Sequence, residues 1–221
     1  NVALDSVALA TQPGLDPKQL SAAPDLLGCR PMAAVGRGLP GSGVVIGGFV
    51  RSNSTLPAEA PTTARVSYDD ACLNLRFECA EPLLETARQR RHEFLARATG
   101  HDEGARRDDC VLILLRPRGS ATVRELAVNA LGAVADAAGA APDPRGARDP
   151  AWDSHATARA RIEEGRWAVD IAIPWSDLGG RPAPGDTWDA CLGRSAPGRN
   201  ETSQWNPSAK GPLDLSAPGA F

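Results

Sequence analysis

At 221 residues the chain is long enough for one large domain with a substantial core, and 42% of it is hydrophobic. A net charge of −3, with arginines scattered among acids, gives no electrostatic footprint for nucleic acid, and no apolar run reaches membrane-spanning length. Aromatics are scarce, at five Trp, four Phe and one Tyr. Cys29, Cys72, Cys79, Cys110 and Cys191 form no CxxC and have no zinc-like spacing, so buried thiols acting as small hydrophobes are expected. The chain begins at Asn1 rather than Met, which fits either a removed signal peptide or a trimmed fragment.

Residues 1–43, rich in Gly, Pro and Ala, read as an irregular leader with a short helix near Pro17 to Leu20. From Val44 the texture changes. VVIGGF (44–49) reads as a strand, and ARVSY (64–68), a turn at Asp69-Asp70 and CLNLRFEC (72–79) read as a hairpin. Leu73, Leu75, Phe77 and Cys79 share one face of that second strand, and Cys72, Asn74, Arg76 and Glu78 share the other. PLLETARQRRHEFLARA (82–98) has helical spacing and is expected to be an inserted amphipathic helix. CVLILL (110–115) reads as a strand buried on both faces, and ELAVNA (125–130) alternates before Gly132 turns it into AVAD (133–136). ATARARI (156–162), a turn at Glu164-Gly165 and RWAVDIAIP (166–174) form a second hairpin, followed by TWDACLGR (187–194) and SQW (203–205). Short alternating strands at close spacing predict an all-β, antiparallel β-sandwich of the jelly-roll or Ig-like kind, with one inserted helix.

Seven stretches carry a resemblance: TTARVSYDDACLNLRFECAEP (62–82), RDDCVLILLRP (107–117), ELAVNALGAVAD (125–136), GRWAVDIAIPWSDLG (165–179), PGDTWDACLGR (184–194), SQWNP (203–207) and APGAF (217–221). In this order, over residues 44–221, the chain resembles the family 9 carbohydrate-binding modules, within the DOMON-like β-sandwiches. The resemblance implies a non-catalytic module that grips a poly- or oligosaccharide, as an accessory to a linked glycoside hydrolase in a secreted, periplasmic or cell-envelope setting. It also implies structural calcium and two clamp tryptophans. The clamp positions fall at Arg106 and Arg107 and near Leu213 to Leu215, and neither carries a Trp. That departure favours an alternative, a structural or docking module that has lost sugar binding. Haem-binding relatives supply a further alternative, in which Met32 and His155 are the available ligands.

Sugar recognition needs a flat apolar face and planar polar groups. The faces opposite the expected core offer Arg76, Asn129, Asp170, Arg159 and Arg161, joined by Arg194 and Trp205 near the C-terminal strands. A plain solvated face, with Arg76 and Asp170 neutralising one another, is the competing reading. Trp167 and Trp188 are expected in the core and Trp175 against the WSDL turn, which leaves Trp152 and Trp205 as stacking candidates. Asp108 and Asp109 are the candidate calcium ligands, with bonding to loop amides as the alternative. Asp69-Asp70 suits a tight turn. The three histidines are dispersed and no GxSxG, HExxH or P-loop is present, so no enzyme is expected.

Overall fold

A computed structural model describes residues 7–11, 33–38, 41–52, 56–81, 94–102, 104–117, 120–140 and 149–205. Two sheets stack face to face. The smaller runs in the order β10 (Thr157–Glu163), β11 (Arg166–Pro174), β6 (Cys72–Ala80), β5 (Thr62–Tyr68) and β3 (Val44–Ile46). The larger runs β2 (Ala33–Val35), β1 (Val7–Thr11), β12 (Thr187–Ala196), β7 (Cys110–Pro117), β8 (Thr122–Asn129) and β9 (Val134–Ala140). Off that path, β13 (Glu201–Gln204) joins β12 to β4 (Val50–Arg51). Strand pairings are antiparallel except that of β1 with β2.

The period-two pattern accounts for the core. Leu73, Leu75, Phe77 and Cys79 of β6 and Trp167, Val169, Ile171 and Ile173 of β11 meet Val111, Ile113, Leu115, Leu126, Val128 and Leu192 of the larger sheet. β7 also buries Leu114 on its other face, beside Val123 and Cys191, as its unbroken apolar run predicts. Both expected hairpins form. Asp69 turns the first by accepting the amides of Ala71 and Cys72 on Oδ1, and Gly165 turns the second at a φ of 71°. Cys79, Cys110 and Cys191 are buried, and burial pushes the Cys79 and Cys110 thiols up to about 12, which leaves them unreactive.

Two expectations are corrected. The leader is not irregular throughout, because 7–11 and 33–35 are strands of the larger sheet, with β1 lying along Thr187–Ala190 of β12. Backbone pairing to an open strand edge needs no side-chain alternation, so the pattern gave no warning. The inserted helix is not seen at its C-terminal end. Phe94–Ala98 is irregular, since the Leu95, Arg97 and Ala98 amides bond to Asp109 and Asp108 carboxylates instead of to a preceding helical turn. Residues 82–93 of that expected helix, the helix near Pro17 to Leu20, Met32 and the second clamp position lie outside the described residues.

Gly43 holds the entry to β3 at a φ of 104°, and an added Cβ would stand 2.1 Å from the Val66 carbonyl oxygen. Gly43→Ala is therefore expected to cost about 1–3 kcal/mol, read as a lower urea midpoint. An unchanged midpoint would mean that β3 shifts without loss.

Candidate functional site

The residues singled out in the sequence separate into three places. The first is the outer face of the smaller sheet. Register places Val45, Arg65, Arg76, Asp170 and Arg159 in one row across five strands. Arg76 Nη1 donates to Asp170 Oδ1 and Oδ2 at 3.3 and 3.4 Å, and Arg161 Nη1 reaches Asp170 Oδ2 at 3.4 Å. Arg76 Nε also donates to Glu78 Oε1 at 3.2 Å. The Arg-rich face therefore exists, with Arg76, Asp170 and Arg161 engaged with one another. Strands place only aliphatic and polar residues on it, and Gly41 packs against the Arg76 side chain. Such a face offers hydroxyl partners but no flat apolar platform.

The second place is the interior, and it claims three residues expected at the surface. Arg194 points inward because it continues the series Trp188, Ala190 and Leu192, and it is 1% exposed. Its Nη2 donates to Glu81 Oε2 at 2.7 Å and stands 3.7 Å from Asp109 Oδ1. Nη1 donates to the Ala80 and Ala60 carbonyls, and the guanidinium lies 5.8 Å from the Trp167 ring centroid. Arg199 bonds the other Glu81 oxygen at 2.7 Å. Trp205 is 6% exposed and belongs to the main core, with its amide on the Leu192 carbonyl. Asn129 is fully buried and its amide makes four hydrogen bonds. Nδ2 donates to Ala98 O and Asp108 Oδ2, while Oδ1 accepts from the Leu131 and Ala133 amides. None of the three presents a free polar edge or ring to a sugar in this arrangement.

The candidate calcium pair lies beside Asn129. Asp108 Oδ2 accepts from the Arg97 and Ala98 amides and from Asn129, each at 2.8 Å. Burial opposes its ionisation, but those three bonds together outweigh it and hold the carboxyl below its ordinary range. Asp109 Oδ2 accepts from the Leu95 amide at 2.8 Å. Burial pushes Asp109 the other way, up to about 6, against the pull of the Leu95 amide and of Arg194. Through these bonds the two carboxylates hold Phe94–Ala98 against β7.

The third place is the end of the sandwich where residues 149–156 carry the chain from β9 to β10. Trp152 is the one tryptophan of the five that is not buried. Its ring packs on the edge of the core, and the Arg124 guanidinium lies 6.0 Å from the ring centroid. Arg124 is half-buried, its Nε has no hydrogen-bond partner among the described residues, and desolvation lowers its pKa. His155 follows, with its side chain 85% exposed and its Nδ1 3.2 Å from Asp177 Oδ1. It stands in solvent rather than facing a pocket, contrary to what an axial haem ligand requires. Arg124, His155 and Asp177 formed no motif in the sequence. Arg124 and Trp152 meet because Ala138 pairs with Arg124 on one side and with Asp149 on the other. Arg106 and Arg107, where the first clamp was expected, are exposed in a short 3-10 turn, and Arg106 pairs with Glu125.

No protein-family model and no curated protein matches the chain. Solved structures do. A presumed carbohydrate-binding protein from Bacteroides uniformis is 15% identical, with a TM-score of 0.57 over 75% of this chain and 78% of its own. A family 9 carbohydrate-binding module from Caldicellulosiruptor kristjanssonii, solved with cellotriose, is 15% identical, with a TM-score of 0.51 over 77% of this chain and 82% of its own. The chain has the family 9 module fold. The shared feature is the stacked antiparallel sandwich; at this identity the match concerns architecture and not side chains.

Proposed function

We propose that this chain is a non-catalytic carbohydrate-binding module, an accessory domain of a secreted glycan-degrading system, and that Trp152 is its stacking platform. The observation that carries the reading is the part-buried Trp152 ring beside an under-bonded guanidinium on a sandwich of the family 9 fold. An apolar ring face takes the C–H face of a pyranose, and Arg124 supplies a planar fork for paired hydroxyls. Cellotriose in the Caldicellulosiruptor module makes β-linked glucans the first ligands to try.

Affinity-gel retardation on cellulose, xylan and pectin fragments tests the reading. An aromatic contact contributes about 0.5–1.5 kcal/mol beyond its buried area, so Trp152→Ala is expected to weaken retention by about tenfold, measured at a temperature where the variant, which also loses packing at the core edge, remains folded. Equal retention of variant and parent would remove Trp152 from the site. The burial of Arg194, Trp205 and Asn129 favours a second reading, a docking module without sugar affinity. Absence of retention on every glycan would leave that reading standing.

A further inference from the structure

Beside β9, a histidine and two aspartates from separate segments converge. One ligand atom from each of His101, Asp136 and Asp153 lies within 4.8 Å of the other two. Asp136 Oδ2 stands 3.5 Å from His101 Nε2, and Asp153 Oδ1 stands 3.7 Å from His101 Nδ1. Asp102 Oδ2 lies 3.2 Å from the same Nδ1. The backbone holds this geometry in place. The Asp102 amide donates to the Val134 carbonyl, Asp102 Oδ1 accepts the Asp136 amide, and Ala138 exchanges two hydrogen bonds with Asp149.

Asp136 supplies a separate sign of a ligand. Its side chain is 0% exposed, and Oδ2 accepts from the Ser154 amide at 2.8 Å and from Ser154 Oγ at 2.5 Å. Its Oδ1 is buried with no hydrogen-bond partner among the described residues. A buried carboxylate oxygen left unbonded is costly, and the ordinary remedies are a donor, a water or a cation. The neighbouring groups are two further carboxylates and an imidazole, a set with more acceptors than donors. A cation resolves that concentration of acceptors.

We infer that His101, Asp136 and Asp153 form a site for a divalent first-row transition ion, of which zinc is the probe. An imidazole with two carboxylates is a three-ligand set that leaves the fourth position of a tetrahedral ion to water. Asp102 holds the ring nitrogen that does not ligate, as outer-shell carboxylates do. His101 is part-exposed and Asp153 is 79% exposed, so solvent reaches the site and the two groups turn inward without moving the core. Calcium fits the set less well, because it takes six to eight oxygens and an imidazole displaces one. A bound ion would tie residues 101–102 to residues 153–154 and so brace this side of the sandwich. The site stands whether or not the module binds sugar.

Titration calorimetry and thermal melting of the full chain, stripped with EDTA and given zinc or calcium chloride, test the proposal. One zinc per chain and a higher melting temperature are expected. His101→Gln and Asp153→Asn alter exposed side chains, so both are expected to melt with the parent in EDTA. Each should weaken zinc by at least the ~10–100-fold that the loss of even an outer-shell partner costs. Three results would overturn the assignment: no zinc binding by the parent, zinc binding unchanged in both variants (as thiol capture would give), or a response to calcium alone.

Discussion

Arg194→Met is expected to lower the unfolding free energy by about 3–5 kcal/mol, the largest effect of any single change argued for this chain. The guanidinium is the hub of a charge cluster sealed between the sheets, bonded to Glu81 and to the Ala80 and Ala60 carbonyls and close to Asp109. Methionine fills much of the same space but carries no charge. Its introduction strands Asp109 without its nearest cation, takes one of the two bonded guanidinium groups from Glu81, and removes a donor from Ala80. Truncating one partner of a buried pair is costly because the remaining charge stays out of water. Urea unfolding at pH 7 reads the change as a lower midpoint at constant slope. A loss below about 1 kcal/mol, the size of an exposed ion pair, would show that Arg199 neutralises the cluster unaided.

The second large effect is a dependence on pH centred on Asp109. Its ordinary value is 3.8, and in the folded chain burial raises it to about 6. Between those values the folded protein holds a proton that the unfolded chain has released. Stability therefore falls as pH rises through that window. At about 1.4 kcal/mol per pKa unit, the fall is about 3 kcal/mol and is complete above about pH 6. Asp109→Asn keeps an acceptor for the Leu95 amide and removes the titration. Unfolding free energies at pH 4, 5, 6 and 7 should show the parent losing about 2–2.5 kcal/mol relative to the variant across that range, the remainder being lost below pH 4. A constant difference would mean that Arg194 keeps Asp109 ionised throughout. Asp108 has the opposite sign: its depressed value gives stability that is lost only as pH falls below its ordinary 3.8, outside this window.

These two aspartates illustrate how far a sequence reading reaches. Asp108 and Asp109 were legible as functional oxygens ahead of a buried strand, but not which partner they would take. Their partners, the amides of Leu95, Arg97 and Ala98, lie in a stretch whose helical spacing gave no sign that it would wrap around a carboxylate. Arg194 was misplaced for a related reason. A charged residue in a strand is normally placed outward, whereas alternation from Trp188 and Leu192 points it inward, where a second sheet supplies Glu81. Asn129 does lie on the face opposite the core, and a loop then covers that face.

Alternation of apolar and polar side chains from Val44 onward determined the two-layer antiparallel fold, because successive residues on a strand must face opposite sides whatever their neighbours are. The hairpin turns at Asp69 and Gly165 and the core places of Trp167 and Trp188 follow from the same local rule. Only the tertiary structure decided which polar residues meet. The Arg76–Asp170 pair, the Arg194–Glu81 cluster, the Trp152–Arg124 contact and the His101–Asp136–Asp153 group each depend on which strand edges adjoin and which loops fold over them. Those are choices of register and packing between segments far apart in the chain, and no local periodicity encodes them.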